Sequence, residues 1–347
     1  MPTSRRLMPL IAAVATVAPL LCAASVSASP ADGPAPDPTA SATPTVTATP
    51  SPSPTTTPAP TATTTTPTST PTPTPTDTVT PQPKRPIVVS RGNYAPNPAD
   101  TIRTYAPSGP GPYPAVLFIH GGAWGRALPN VYEFRFAHRL AASQQWVVAV
   151  IGYPTKIPHE RTVEPHAIRT ALEHLARRDD VDPHAIALWG ESSGGQLALL
   201  AAYRDAMNPT RLVDAVVSIS GPTNMRIEFS SLAETALGAV LRFEGLSPRQ
   251  AAARGSSRYR LTSPVSIVRS RDPATFQAIS LHDPLVPPVQ VSELTARLAA
   301  EHVSHQTVHV RGNGHSTTIE NERPIGYTDD VESLAAAFLT RAFAAAG

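Results

Sequence analysis

The chain has 347 residues, 41% of them hydrophobic and 40 of them proline, with a formal net charge of +2. That excess lies in Arg5 and Arg6; beyond residue 28, 26 basic side chains face 26 acidic ones, which excludes the basic footprint of a nucleic-acid-binding protein. The only cysteine, Cys22, lies in the same leader, so the rest of the chain has no disulfide, no thiol nucleophile and no Cys-ligated metal.

In chain order, residues 1–28 read as a signal peptide. Arg5 and Arg6 form a charged start, an apolar run extends from Leu7 to Cys22, and Val26-Ser27-Ala28 supply small residues for cleavage. The apolar run is short for a bilayer span; an uncleaved membrane anchor is the alternative. Residues 29–85 form a Thr/Pro/Ala/Ser tract that holds 16 of the prolines. Such a composition cannot bury enough apolar area to offset its ordering entropy. It reads as a disordered spacer, extended as polyproline II to roughly 150 Å and O-glycosylated on Thr. Leader and spacer together predict a secreted protein, with cell-wall or membrane association through the N-terminal region as one use of the spacer.

Residues 86–347 are expected to fold as one domain. Short apolar runs at 115–119, 147–151, 186–189, 215–219 and 276–281 read as buried strands. Between them, 131–142, 165–177, 193–206, 291–301 and 329–345 read as helices. Near-continuous apolar strands separated by helices imply an α/β fold, a mostly parallel central sheet with helices on both faces. Functional residues in such a sheet gather at the strand C-termini.

The run at 186–189 leads into Gly190-Glu191-Ser192-Ser193-Gly194-Gly195 and then a helical segment. This is a G-x-S-x-G pattern in the strand–turn–helix setting that it requires. The glycines remove Cβ atoms where strand and helix approach, and Ser192 is displayed above a helix N-terminus, whose dipole favours developing negative charge. Ser193 stands one position off the central serine, so Ser192 is the expected nucleophile.

A second strand, 115–119, runs into His120-Gly121-Gly122-Ala123-Trp124-Gly125. With this His-Gly-Gly-x-Trp ahead of the serine elbow, the chain resembles the esterase/lipase branch of the α/β-hydrolase superfamily, which includes hormone-sensitive-lipase-like enzymes, acetyl-xylan and feruloyl esterases and kynurenine formamidases. The resemblance covers residues 113–315. It implies the α/β-hydrolase fold and an oxyanion hole built from the backbone amides of Gly122, Ala123 and Ser193. Ala123 stands where the lipase subgroup has a third glycine, which favours the esterase side. His120 is expected to brace the loop rather than to act as base.

The order of this fold is serine, acid, histidine. Downstream of Ser192 lie His282, His302, His305, His309 and His315. His315 ends a glycine-rich turn after a strand-like run and resembles the base of the family's terminal loop. His309 would alternate along that strand. A zinc reading of His302, His305 and His309 lacks a carboxylate at suitable spacing. For the acid, Asp283 with Val286 and Pro287 matches the family's Asp-x-x-Val-Pro, although Ile279-Ser280 stand where members carry His-Gly. Asp272, before Pro273, is the other candidate; its ordinary role would be turn formation.

The expected activity is that of a serine carboxylesterase acting on short-chain or carbohydrate-linked esters through a Ser192–His315–Asp283 triad, with neither cofactor nor metal. A serine amidase or peptidase using the same groups, and a non-catalytic wall-associated binding protein on the same fold, are the alternatives. Residues 223–262 are expected either to cap the site or to form an ordinary helix pair.

Overall fold

The computed structural model describes residues 83–155, 163–225, 257–312, 314–315 and 330–346. The expected signal peptide, nearly all of the expected spacer and most of the expected cap, residues 226–256, lie outside the described residues. The described chain starts docked: the Lys84 ammonium donates to the Ser143 carbonyl at 3.0 Å, and the Arg85 amide to Gln145 Oε1 at 2.7 Å.

Among the described residues, eight strands form one sheet: β1 (Ile87–Asn93), β2 (Thr101–Pro107), β3 (Tyr113–Ile119), β4 (Val147–Ile151), β5 (Val181–Glu191), β6 (Ala215–Ile219), β7 (Ala274–Ser280) and β8 (His305–Val310). Their spatial order is β1-β2-β4-β3-β5-β6-β7-β8. β1 and β2 pair antiparallel with each other, and β2 pairs antiparallel with β4; every later pairing is parallel. The mostly parallel sheet read from the sequence is thus present, with an antiparallel edge that the apolar-run reading did not pick out.

Among the described residues, six helices accompany the strands: α1 (Val131–Gln144), α2 (Val163–Ala176), α3 (Ser193–Asp205), α4 (Ser257–Thr262), α5 (Val289–Ala300) and α6 (Val331–Ala346). Five of them fall within two residues of the expected spans at each end. The short α4 was expected only as part of a longer insertion.

The double covering follows from the pleat, because successive strand residues face opposite sides. On β3, Val116 and Phe118 join a core with Phe136 and Leu140 of α1 and Leu339 of α6. Leu117 and Ile119 join the opposite core, with Ile168 and Leu172 of α2, Leu197 of α3 and Leu294 of α5. Five consecutive apolar residues can therefore all be buried, as β3 and β4 are. Fully burying each such side chain contributes about 1.5–3 kcal/mol, which gives the sheet the rigidity to hold loops at fixed spacing. No helix among the described residues is long and apolar enough to cross a membrane.

Candidate active site

β5 ends at Glu191 and α3 begins at Ser193, so the whole reversal falls on Ser192, which has φ 53° and ψ −127°. Such a conformation is costly for a residue with a Cβ, and it persists here because close contacts fix it. A Cβ on Gly190 would lie 2.2 Å from the Gly194 carbonyl oxygen. A Cβ on Gly194 would lie 2.2 Å from the Ile119 oxygen and 2.5 Å from that of His120. The second contact refines the expectation: Gly194 is needed where α3 meets the end of β3, not where it meets its own strand. The Ser192 amide donates to the Ile219 carbonyl at 2.8 Å, which ties the elbow to β6.

Asp283 and His315 arrive from the loops after β7 and β8. His315 Nε2 lies 2.9 Å from Ser192 Oγ. His315 Nδ1 lies 2.9 and 2.8 Å from the two carboxylate oxygens of Asp283. Asp283 Oδ1 also accepts the amides of Leu285 and Val286, both at 2.9 Å, and its side chain is fully buried. Two backbone bonds join the acid loop to the base loop: Leu281 donates to the Val310 carbonyl at 2.9 Å and His282 to that of Gly312 at 3.1 Å. Gly312 has φ 112°, a conformation that glycine alone adopts without penalty. The structure therefore brings Ser192, His315 and Asp283 into one hydrogen-bonded chain across 123 and 32 residues of sequence separation.

The other candidates are placed elsewhere. Asp272 precedes β7, at the opposite end of that strand from Asp283, and accepts the Arg269 amide at 2.8 Å in a turn; burial raises its carboxyl to about 6. Ser193 is buried, with a hydroxyl that has no hydrogen-bond partner among the described residues. His309 is half-buried on β8 and His302 is exposed beyond α5, while His305 Nδ1 lies 2.8 Å from the Val303 carbonyl. Among the described residues no group of three or more His, Cys, Asp or Glu could hold a metal ion.

The loop after β3 lies beside Ser192: a Cβ on Gly121 would stand 2.8 Å from the Glu191 oxygen and 3.1 Å from Ser192 Cβ. Three consecutive residues, Gly122, Ala123 and Trp124, have φ of 131°, 51° and 53°. Gly122 and Ala123 are exposed. His120 is fully buried and stacks on Tyr153, ring centroids 4.4 Å apart, and the Tyr153 hydroxyl donates to the His120 carbonyl at 2.7 Å. Burial lowers the His120 imidazole to about 4, so the neutral ring donates from Nδ1 to the Gly121 carbonyl at 2.7 Å. This is the bracing role expected of it. Trp124 Nε1 donates to Gln196 Oε1 at 2.9 Å, and Gln196 Nε2 to the Thr262 carbonyl at 2.7 Å.

Residues 104–298 match the BD-FAE family. The chain belongs to that family. Membership makes it an esterase-like α/β hydrolase. Among solved structures, this BD-FAE protein is similar to a truncated carbohydrate esterase from gut microbiota, at 20% identity and a TM-score of 0.61, over 75% of this chain and 97% of that one. It is similar to esterase B from Lactobacillus rhamnosis at 18% identity and a TM-score of 0.59, over 76% and 89%. It is also similar to an acetyl ester-xyloside bifunctional hydrolase from Caldicellulosiruptor lactoaceticus at 17% identity and a TM-score of 0.55, over 73% and 96%. At these identities the likeness is one of fold. No curated protein matches the chain.

Several side chains that build the BD-FAE site were not singled out from the sequence. Gln196 and Tyr153 gave no signal there, since a buried glutamine after a serine elbow and a tyrosine after a strand have many ordinary roles. Gln290 of α5 accepts the amides of Thr223 and Asn224 at 2.9 and 3.0 Å and so fixes the loop after β6. Arg126 and Glu133 had a partial signal. Asn130-x-x-Glu133 is a capping pair, and the structure has Asn130 accepting the Tyr132 and Glu133 amides at the start of α1.

Proposed function

We propose that this chain is a secreted serine carboxylesterase whose nucleophile is Ser192, whose base is His315 and whose acid is Asp283. The observation that carries the reading is the unbroken chain of hydrogen bonds from Ser192 Oγ through both ring nitrogens of His315 to the Asp283 carboxylate. A serine hydroxyl is a weak nucleophile until a neighbouring base accepts its proton. Here His315 Nε2 takes that proton as Oγ attacks the ester carbonyl. Asp283, held by two backbone amides, fixes the imidazole's tautomer and stabilises the imidazolium without taking the proton itself.

The tetrahedral intermediate carries its negative charge on the former carbonyl oxygen. The amides of Gly122, Ala123 and Ser193 are the donors for it, at the exposed loop after β3 and the first turn of α3. Fixed donors need no reorganisation when the charge forms, and each is worth ~2.7–4 kcal/mol of barrier. The Ser192 amide is already committed to the Ile219 carbonyl, so the elbow's donor is that of the following residue. His315 then returns the proton to the leaving alcohol, the acyl group stays on Ser192, and water repeats the sequence to free the acid.

For the substrate, the reading is a short-chain or carbohydrate-linked ester. Its support is family membership together with neighbours described as a carbohydrate esterase and an acetyl ester-xyloside hydrolase. The leader at 1–28 and the Thr/Pro tract fit export and display at a cell wall or membrane surface.

The test is labelling of the purified protein with a fluorophosphonate probe, followed by a p-nitrophenyl ester series from acetyl to long acyl chains and by acetylated and feruloylated saccharides. Labelling at Ser192 with turnover greatest on short or sugar-borne acyl groups is the expected result. Absence of label would leave the binding-protein alternative, and labelling with turnover confined to peptide anilides would leave the amidase.

A further inference from the structure

We infer that Arg126 is a positioning residue for the oxyanion site: by clamping the carbonyl of Gly121 it sets the direction of the Gly122 amide. The inference rests on the reading of Ser192 as nucleophile and Gly122 as oxyanion donor, and adds to that reading a side chain that never touches the reacting atoms.

The Gly121 carbonyl oxygen accepts from Arg126 Nη2 at 2.8 Å and from Arg126 Nε at 3.2 Å, and from His120 Nδ1 at 2.7 Å. In a trans peptide the carbonyl of one residue and the amide of the next lie in one plane and point opposite ways. Pinning the Gly121 oxygen therefore also fixes the Gly122 N–H, on the far side of the peptide from the guanidinium. The peptide cannot turn over without giving up three donors at once.

The clamp is anchored at its other end. Arg126 Nη1 donates to Glu133 Oε2 at 3.2 Å, and Nη2 to Glu133 Oε1. Glu133 is 4% exposed, whereas Arg126 is 33% exposed. The same carboxylate accepts the Asn130 amide, closing the capping box of α1. An arginine fork fits this task where a lysine fits less well, because its planar donors reach the carbonyl and the carboxylate together. A carboxylate already held by a helix start supplies a fixed origin, so α1 and the sheet it packs on set the angle of one peptide at the reaction centre. The contact on the loop side is equally tight: a Cβ on Gly122 would lie 2.6 Å from Arg126 Cβ and 2.9 Å from Nε.

The experiment compares wild type, Ser192→Ala, Arg126→Ala, Arg126→Lys and Glu133→Gln. The readouts are kcat and KM for p-nitrophenyl acetate, the inhibition constant for an alkyl trifluoromethyl ketone, which forms a charged tetrahedral adduct, and thermal melting. Arg126→Ala is expected to lower kcat about 10–100-fold, part of the loss that follows removal of a whole donor, with KM changed less than about threefold. Ketone affinity is expected to fall by the same factor as kcat/KM. Arg126→Lys, which keeps a cation for Glu133 and one donor for the carbonyl, should recover most of both, and Glu133→Gln should fall between. Ketone affinity that stays constant while kcat/KM and melting temperature fall would reduce Arg126 to a structural role and overturn the inference. So would a kcat within twofold of wild type. If Arg126→Ala does not fold, Glu133→Gln carries the same comparison: the two quantities fall together, or the inference fails. A wild-type protein that neither turns over the ester nor takes a fluorophosphonate label would instead overturn the nucleophile, and the inference with it.

Discussion

Positive φ at residues with a Cβ occurs at both ends of this sheet, with two different causes. At the strand N-terminal ends, Gln145 (58°) and His302 (57°) follow the last turns of α1 and α5. Their amides close the helices, Gln145 onto the Ala141 carbonyl at 2.9 Å and His302 onto that of Ala299 at 3.1 Å. A left-handed residue there is the ordinary way to end a helix. At the C-terminal ends, Ala123, Trp124, Ser192 and Ser220 have φ between 49° and 53° and end no helix. These four follow β3, β5 and β6, around the groups proposed for catalysis. The lesson is that backbone strain indicates function only after the helix ends have been set aside.

Substitutions at each end of the sheet separate the two causes. The largest expected effect is Ser192→Ala: a kcat loss of order 10⁶ with unchanged melting, measured on p-nitrophenyl acetate with the enzyme concentration taken from absorbance. Asp283→Ala should cost less, about 10⁴, while Asp272→Ala, at the other end of β7, should leave kcat within a fewfold; the reverse ranking would reassign the acid. Gly194→Ala should destabilise by ~3 kcal/mol or more, because its methyl would meet the backbone of Ile119 and His120 rather than a movable side chain. Denaturant titration reads that loss directly.

Smaller effects follow at single rings. His120 is held down to about 4 by burial, whereas in the unfolded chain it would titrate near the usual ~6.5. The unfolded state therefore binds the extra proton between these values, and stability is lost as pH falls from about 6.5 towards 4. Melting temperatures across that window should decline in wild type and decline less in His120→Asn. The smallest effect is at a helix end: His302→Gly should gain ~1 kcal/mol, since glycine carries no left-handed penalty, with kcat unchanged.

Much of this was legible in the amino-acid sequence, for physical reasons. Strands β3 to β7 are buried on both faces and so carry near-continuous apolar runs, and α1, α2, α5 and α6 carry the 3.6-residue stripe that one-sided burial demands, whereas α3 is buried almost all round. Ser192 stood out because a glycine on each side of a serine between strand and helix has few other uses. β1 and β2 did not stand out. β1 is an edge strand with six of its seven residues exposed, so no core selects its side chains, and β2 mixes Thr, Arg and Tyr among buried positions. The Arg126–Glu133 clamp was illegible as such, because its meaning depends on where the Gly121 carbonyl points, and that is a property of the folded loop.

One contact bears on how such a protein could change its choice of substrate. The first turn of α3 presses on the end of β3 so closely that not even a methyl group fits at Gly194. On the roles proposed above, the spacing between the Ser192 elbow and the end of β3 is thereby set by main chain against main chain, and Arg126 adjusts only the angle of one peptide beside it. Any retuning towards a bulkier or smaller acyl group must come from the walls around this fixed gauge, and the gauge itself would serve each new substrate unaltered.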